Sequence, residues 1–170
     1  MTSTETRPPF QLVRLERCAV LLRLGQNSDI TEADALEILE QSFDLTGKRQ
    51  YVLFFELNRV SSISSGARRI LTSARDILAC ALVGAGPMDR VLSVPYEQAA
   101  YPSEYFTRHS AALEWLGFMH DLLCADPVEH AMSLTVDVDP FVRRRATRPL
   151  GAGSAFGQDS PGRSSRPGTR

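Results

Sequence analysis

Lysine is nearly missing from this chain: of 19 basic residues only Lys48 is not arginine. Cysteine is scarce as well, and Cys18, Cys80 and Cys124 stand far apart with no CxxC or comparable spacing, which indicates neither a disulfide framework nor a zinc site. The pattern fits reduced thiols in the cytoplasm. The N-terminal MTSTETRPPF has no apolar core of the kind a secretion signal needs, and the longest uncharged stretch, Ile77 to Met88, is too short and too glycine-rich to cross a bilayer. These absences predict no disulfide scaffold, no leader and no membrane span.

What is present is enough apolar material for one ordinary core: 170 residues, 43% of them hydrophobic. The net charge of −1 conceals a split. Residues 1–139 carry 12 basic and 19 acidic side chains, a balance of −7, whereas residues 140–170 carry seven Arg against one Asp, a balance of +6. An acidic body is unsuited to lie along nucleic acid or an anionic membrane, because such a face needs clustered positive charge. Only the run Arg143-Arg144-Arg145 with Arg148 offers weak, nonspecific attraction of that kind, the ordinary reading being a solvated tail.

The hydropathy pattern divides the chain into a polar arm over 1–9, a domain over 10–124, an ambiguous extension over 125–139 and a disordered, Arg-rich tail over 140–170. Within the domain, Phe10–Glu16 and Cys18–Gly25 read as an antiparallel hairpin. A helix follows from Thr31, its cap, with Asp34 three residues on, an apolar stripe of Leu36, Leu39 and Phe43 beside Ala35 and Ile38, and Gly47 placed for a left-handed stop. Tyr51–Leu57 is a nearly unbroken apolar run, as in a strand covered on both faces, and is expected to be central. Caps within Ser61–Ser65 lead to a second helix through Ala67, Ile70, Leu71, Ala74 and Leu78. A strand over Ala79–Gly84, a helix from Pro87 that Pro95 ends, a strand at Glu104–Phe106 and a helix capped by Thr107 and running to Leu123 complete the order ββαβαβαβα. Buried strands alternating with helices predict one mainly parallel sheet, opened by the antiparallel hairpin, with helices packed on it. In the extension, Asp126-Pro127 is suited to start one helical turn, while Leu134, Val136 and Val138 alternate like an edge strand.

The stretch YVLFFELNRVSSISSGARRIL, Tyr51 to Leu71, resembles the third strand, loop and second helix of the STAS/SpoIIAA-like family. In particular it looks like a branch of short bacterial proteins often labelled STAS/SEC14-like, through Glu56, Asn58, Val60, Ser64, Ala67 and Arg68. Phe106-Thr107 and Ala112–Leu116 are similar to that branch's closing helix. The resemblance spans about residues 10–120 and implies a SpoIIAA-like α/β sheet domain acting as a signalling or interaction module. In the family's anti-sigma-factor antagonists a serine at the start of the second helix is phosphorylated within Asp-Ser-Ser-Gly. Here Ser64-Ser65-Gly66 occupies that place, with Ile63 for the Asp and one residue fewer between Val60 and Gly66.

Ser64 and Ser65 therefore have two readings, a phosphoswitch at a helix N-terminus or a plain cap. Arg68, Arg69, Glu56 and Asn58 are the candidate partner-binding residues beside them. Gly84-Ala85-Gly86 between a strand and a helix reads as an anion cradle or a tight turn. His120, Asp121 and Cys124 share a helical neighbourhood but lack a second cluster to complete a metal shell. His109, His120 and His130 have no nucleophile elbow to serve, so no catalytic residue, metal or cofactor is assigned. Tyr96, Tyr101, Tyr105 and Phe106 either pack a loop onto the core or rim a pocket for an apolar ligand. The leading function is a non-enzymatic cytoplasmic module that binds a protein partner through the second-helix face. The alternative is a binder of a small, lipid-like apolar molecule at Tyr96–Phe106.

Overall fold

A computed structural model describes residues 8–132. The arm residues 1–7, the alternating Leu134, Val136 and Val138, and the Arg-rich tail with Arg143–Arg148 lie outside the described residues. Five strands form one sheet, β1 (Phe10–Glu16), β2 (Ala19–Leu24), β4 (Tyr51–Glu56), β6 (Ile77–Val83) and β7 (Ser103–Phe106), in that spatial order. β1 pairs with β2 antiparallel and every other pairing is parallel. The connections carry α1 (Glu32–Leu45), α2 (Ser65–Thr72) and α3 (Pro87–Ser93) with a following 3-10 turn (Val94–Gln98), and α4 (His109–Leu123) closes the domain. This is the element order and mixed sheet that the sequence predicts. A second ladder of two residues a side, β3 (Asp29–Ile30) with β5 (Ser62–Ile63), was not expected.

The strand period of two sorts the core into layers. Val20, Leu22, Leu24, Leu53, Phe55, Cys80 and Leu82 face α1 and α2, where they meet Ala35, Ile38, Ala67 and Leu71. Ala19, Leu21, Val52, Phe54, Ala79, Ala81 and Val83 face the other way, onto Ala112, Leu113, Leu116 and Met119 of α4. β4 sits third of five, and its first five residues are buried.

Several local expectations shift. The buried residues of α1 are Ala35, Ile38 and Ser42, whereas Leu36 is 58% exposed, so the stripe lies one position round from Leu36–Leu39–Phe43. The capping box of Thr31 with Asp34 forms, and Gly47 takes the left-handed conformation at φ 64°. α2 stops at Thr72, and Leu78 belongs to β6: the i, i+4 match of Ala74 and Leu78 is a coincidence across a turn. At α4 the capping position is Arg108 and not Thr107, and no side chain caps it. After α4 the chain makes a turn in which the Asp126 carbonyl accepts from the His130 N–H at 3.0 Å. Among the described residues no helix is long and apolar enough to cross a membrane.

Candidate functional site

Parallel strands bring their carboxyl ends to one edge, which is where ligands of open α/β sheets sit. Here Arg23, Glu56 and Val83 stand side by side across β2, β4 and β6. The Glu56 side chain is 15% exposed, and a carboxylate withdrawn from water this far needs partners. Arg23 Nε is one, and His109 Nε2, 2.9 Å from Oε1, is the other. The His109 ring also lies on Phe54, with centroids 5.6 Å apart and planes at 22°, so the first residue of α4 is fixed at the sheet edge.

Beyond Glu56 the chain reverses through Asn58 and Arg59, both left-handed at φ 48° and 54°. Asn tolerates that region because its short amide finds local partners, and Asn58 Nδ2 donates to the Leu24 carbonyl at 3.1 Å. The Arg59 carbonyl accepts from the Asn27 N–H at 3.2 Å, the Ser61 N–H donates to Ser28 at 2.9 Å, and Ser62 Oγ donates to Asp29 Oδ1 at 2.6 Å. With the β3–β5 ladder, these bonds join the loop entering α1 to the loop entering α2. The two helix starts form one rim.

On that rim Ser64 is the cap of α2: its Oγ accepts from the Ala67 N–H at 3.0 Å, and its own N–H donates to Ile30 at 2.9 Å. Ser64 and Ser65 are exposed. Arg69 reaches Glu32 of α1, 3.6 Å away, while Arg68 is half-buried and its Nε has no hydrogen-bond partner. Glu32 thus brings a carboxylate to the helix start and to the arginine that a phosphoserine would use.

The Gly84-Ala85-Gly86 turn is occupied by the chain's own anion. Asp89 is buried, and its Oδ2 accepts from the Ala85 N–H at 2.9 Å and the Gly86 N–H at 3.3 Å, the donors an external anion would need. A Cβ on Gly84 would collide with Asp89 and stand 2.8 Å from the Tyr105 hydroxyl. This is the tight-turn reading. Asp89 Oδ1 keeps no partner, and the residue lines a cleft of about 130 Å³ with Glu56, Asn58, Thr107 and His109.

The four aromatic candidates separate. Tyr96 and Tyr101 are buried beneath α2, Tyr96 edge-on to Phe55 at 5.5 Å and Tyr101 donating to the Leu71 carbonyl at 2.7 Å. Phe106 packs on the opposite side of the sheet against Trp115 at 5.7 Å. Tyr105 lies under the Arg90 guanidinium, 5.1 Å from its ring centre. Tyr96 and Tyr105 share a cleft of about 280 Å³, whose other walls include Arg90, Glu97 and Glu104.

On α4, His120 is fully buried with Nδ1 3.3 Å from Asp121, whereas Cys124 turns to His130, so His120, Asp121 and Cys124 do not converge. Sequence reasoning passed over Arg23, Asp89 and His109. A signal for His109 existed: the residue that opens a helix directly after a parallel strand must lie at the carboxyl edge.

The architecture defines an α/β domain on one five-stranded mixed sheet, with a polar rim at its carboxyl edge. A family model described as Domain of unknown function (DUF7793) matches residues 15–119, and the chain belongs to that family. The chain is also similar to the crystal structure of an uncharacterised protein from the DUF3478 family, with a SpoIIAA-like fold, from Shewanella loihica PV-4. The two are 14% identical, the alignment covers 63% of this chain and 91% of that one, and the TM-score is 0.47. No curated protein matches the chain.

Proposed function

We propose that this protein is a non-enzymatic interaction module, and that a protein partner docks on the rim formed by the starts of α1 and α2. The observation that supports the reading is the β3–β5 ladder, which holds the two helix entries together and presents Ser64, Ser65, Arg69 and Glu32 as one polar surface. A rim already ordered in the free protein loses little conformational entropy on binding. The cytoplasmic location expected from the thiols belongs to the same proposal. The apolar-ligand reading has less to rest on, because Tyr96 and Tyr101 are committed to the core and the cleft at Tyr105 has charged walls.

The test is capture from the native cell with the wild type, with Arg69→Glu and with Glu114→Arg on the exposed face of α4. A protein held by the wild type and by Glu114→Arg but lost with Arg69→Glu is the expected result. Equal capture by all three, or co-purification of a lipid lost on Tyr105→Ala, would overturn it.

A further inference from the structure

Cys18 is far in sequence from Cys124 and His130, yet folding brings Cys18 Sγ, Cys124 Sγ and a ring nitrogen of His130 within 4.8 Å of one another. Cys18 is held in the β1–β2 turn, where its carbonyl accepts from the Val52 N–H at 2.8 Å. Cys124 ends α4, its N–H donating to His120 at 2.8 Å. His130 closes the following turn through its bond to Asp126, and that turn is tied back to the hairpin by Arg17 Nη1, which donates to the Glu129 carbonyl at 3.2 Å. Every ligand therefore stands on hydrogen-bonded backbone. None of the three belongs to the rim or to its clefts.

We infer that these three side chains bind one zinc ion, with a water in the fourth position. Two thiolates and an imidazole are the donors that zinc prefers over harder cations, and this Cys₂His set with an open place is a known zinc arrangement. The spacing suits it. Zinc–sulfur and zinc–nitrogen bonds of about 2.3 and 2.05 Å at a tetrahedral angle place sulfur and nitrogen about 3.6 Å apart, and Cys124 Sγ lies 3.5 Å from His130 Nδ1. The charges also balance, because two thiolates neutralise the dication where Cys18 is wholly buried. Thiolates and a neutral imidazole are the forms that bind, so loading displaces protons and strengthens as pH rises. The ion would clip the C-terminal turn to the β1–β2 hairpin.

The probe is cobalt(II) added to the full, reduced chain. Expected are thiolate-to-cobalt charge-transfer bands and strong tetrahedral visible bands that saturate at one equivalent and vanish when zinc is added. Zinc should also raise the melting temperature, since the three ligands converge in the folded chain and bind the ion more tightly there than when unfolded. Cys124→Ser and His130→Ala should each weaken binding at least about tenfold, a loss that even the outer partners of metal ligands cause. His109→Ala should leave it unchanged. Cys124 and His130 lie beyond the sheet and are only half-buried, so circular dichroism should find both variants folded. Absence of the charge-transfer bands at saturating cobalt would overturn the inference, as would bands that persist in both ligand variants. Finding Cys18 joined to Cys124 in protein taken from its own cells would also overturn it and assign the pair to redox chemistry.

Discussion

The carboxylate of Glu32, the first residue of α1, occupies the space where a side chain on Gly66 of α2 would lie. The two helices meet at their starts through this contact, and Arg69 completes it by pairing with the same carboxylate.

Gly66→Ala should therefore expel Glu32 and break its pair with Arg69. Alanine favours the helix over glycine by up to about 1 kcal/mol, and an exposed ion pair is worth about 0–1 kcal/mol, so the single variant should change stability little. With Glu32→Ala as background, Gly66→Ala should instead stabilise by about 0.5 kcal/mol or more. Urea denaturation of the four proteins of this cycle measures the coupling. Additive effects would mean that the two residues do not compete for the space.

Ser64 should behave as a cap. Ser64→Ala should cost about 0.5–2 kcal/mol, while Ser64→Asp should keep most of the stability because Asp also accepts from the helix N–H groups. Neither change should affect partner capture once stability is matched. A phosphate found on Ser64 or Ser65 in protein from the native host, with capture lost in the Asp variant and kept in the Ala variant, would establish a phosphoswitch in spite of Glu32.

Leu53 and Phe55 fill the core on the α1–α2 side of the central strand. Replacing either with Ala should cost about 2–5 kcal/mol through the cavity left behind. A cost under about 0.5 kcal/mol, typical of the surface, would place that strand elsewhere.

Stability should fall in alkali. Burial raises the pKa values of Tyr51, Tyr96, Tyr101 and Cys80 in the folded protein, holding them neutral. Their ordinary values of about 10 for tyrosine and about 8.5 for cysteine apply once the chain unfolds. Above those values the unfolded chain releases protons that the folded one retains, so folding stability is intact below about pH 8, declines first through Cys80 and then, beyond about pH 10, through the tyrosines, each group contributing about 1.4 kcal/mol per pH unit once past its unfolded value. Urea midpoints measured from pH 7 to 11 should show the decline, and Tyr101→Phe should make it shallower. A flat profile would mean that these groups ionise in place.

The sequence made the sheet legible because its signals are periodic. Tyr51 to Leu57 carries buried residues on both faces, and the box of Thr31 with Asp34 and the stop at Gly47 bracket α1 chemically. Two-residue elements have no period, so the pairing of Asp29–Ile30 with Ser62–Ile63 could not be read, although it organises the candidate site. Ala74 and Leu78 matched a helix by chance. The contact of Glu56 with His109, 53 residues later, depends on α4 starting at the carboxyl edge and carries no local mark. The same holds for Cys18 and Cys124, whose meeting is a property of topology and not of spacing.

The sheet is dressed unequally: helices from three of its connections cover one face, whereas α4 alone covers the other. Because α4 ends the domain, a ribosome completes all five strands before it releases the helix that hides Ala19, Leu21, Val52, Phe54 and Ala81. During that interval the nascent domain presents this apolar face, alanines among it, to any other chain. Synthesis speed past His109 then matters to yield, and slow translation or truncation within α4 is the condition under which a chaperone that shields this face becomes necessary.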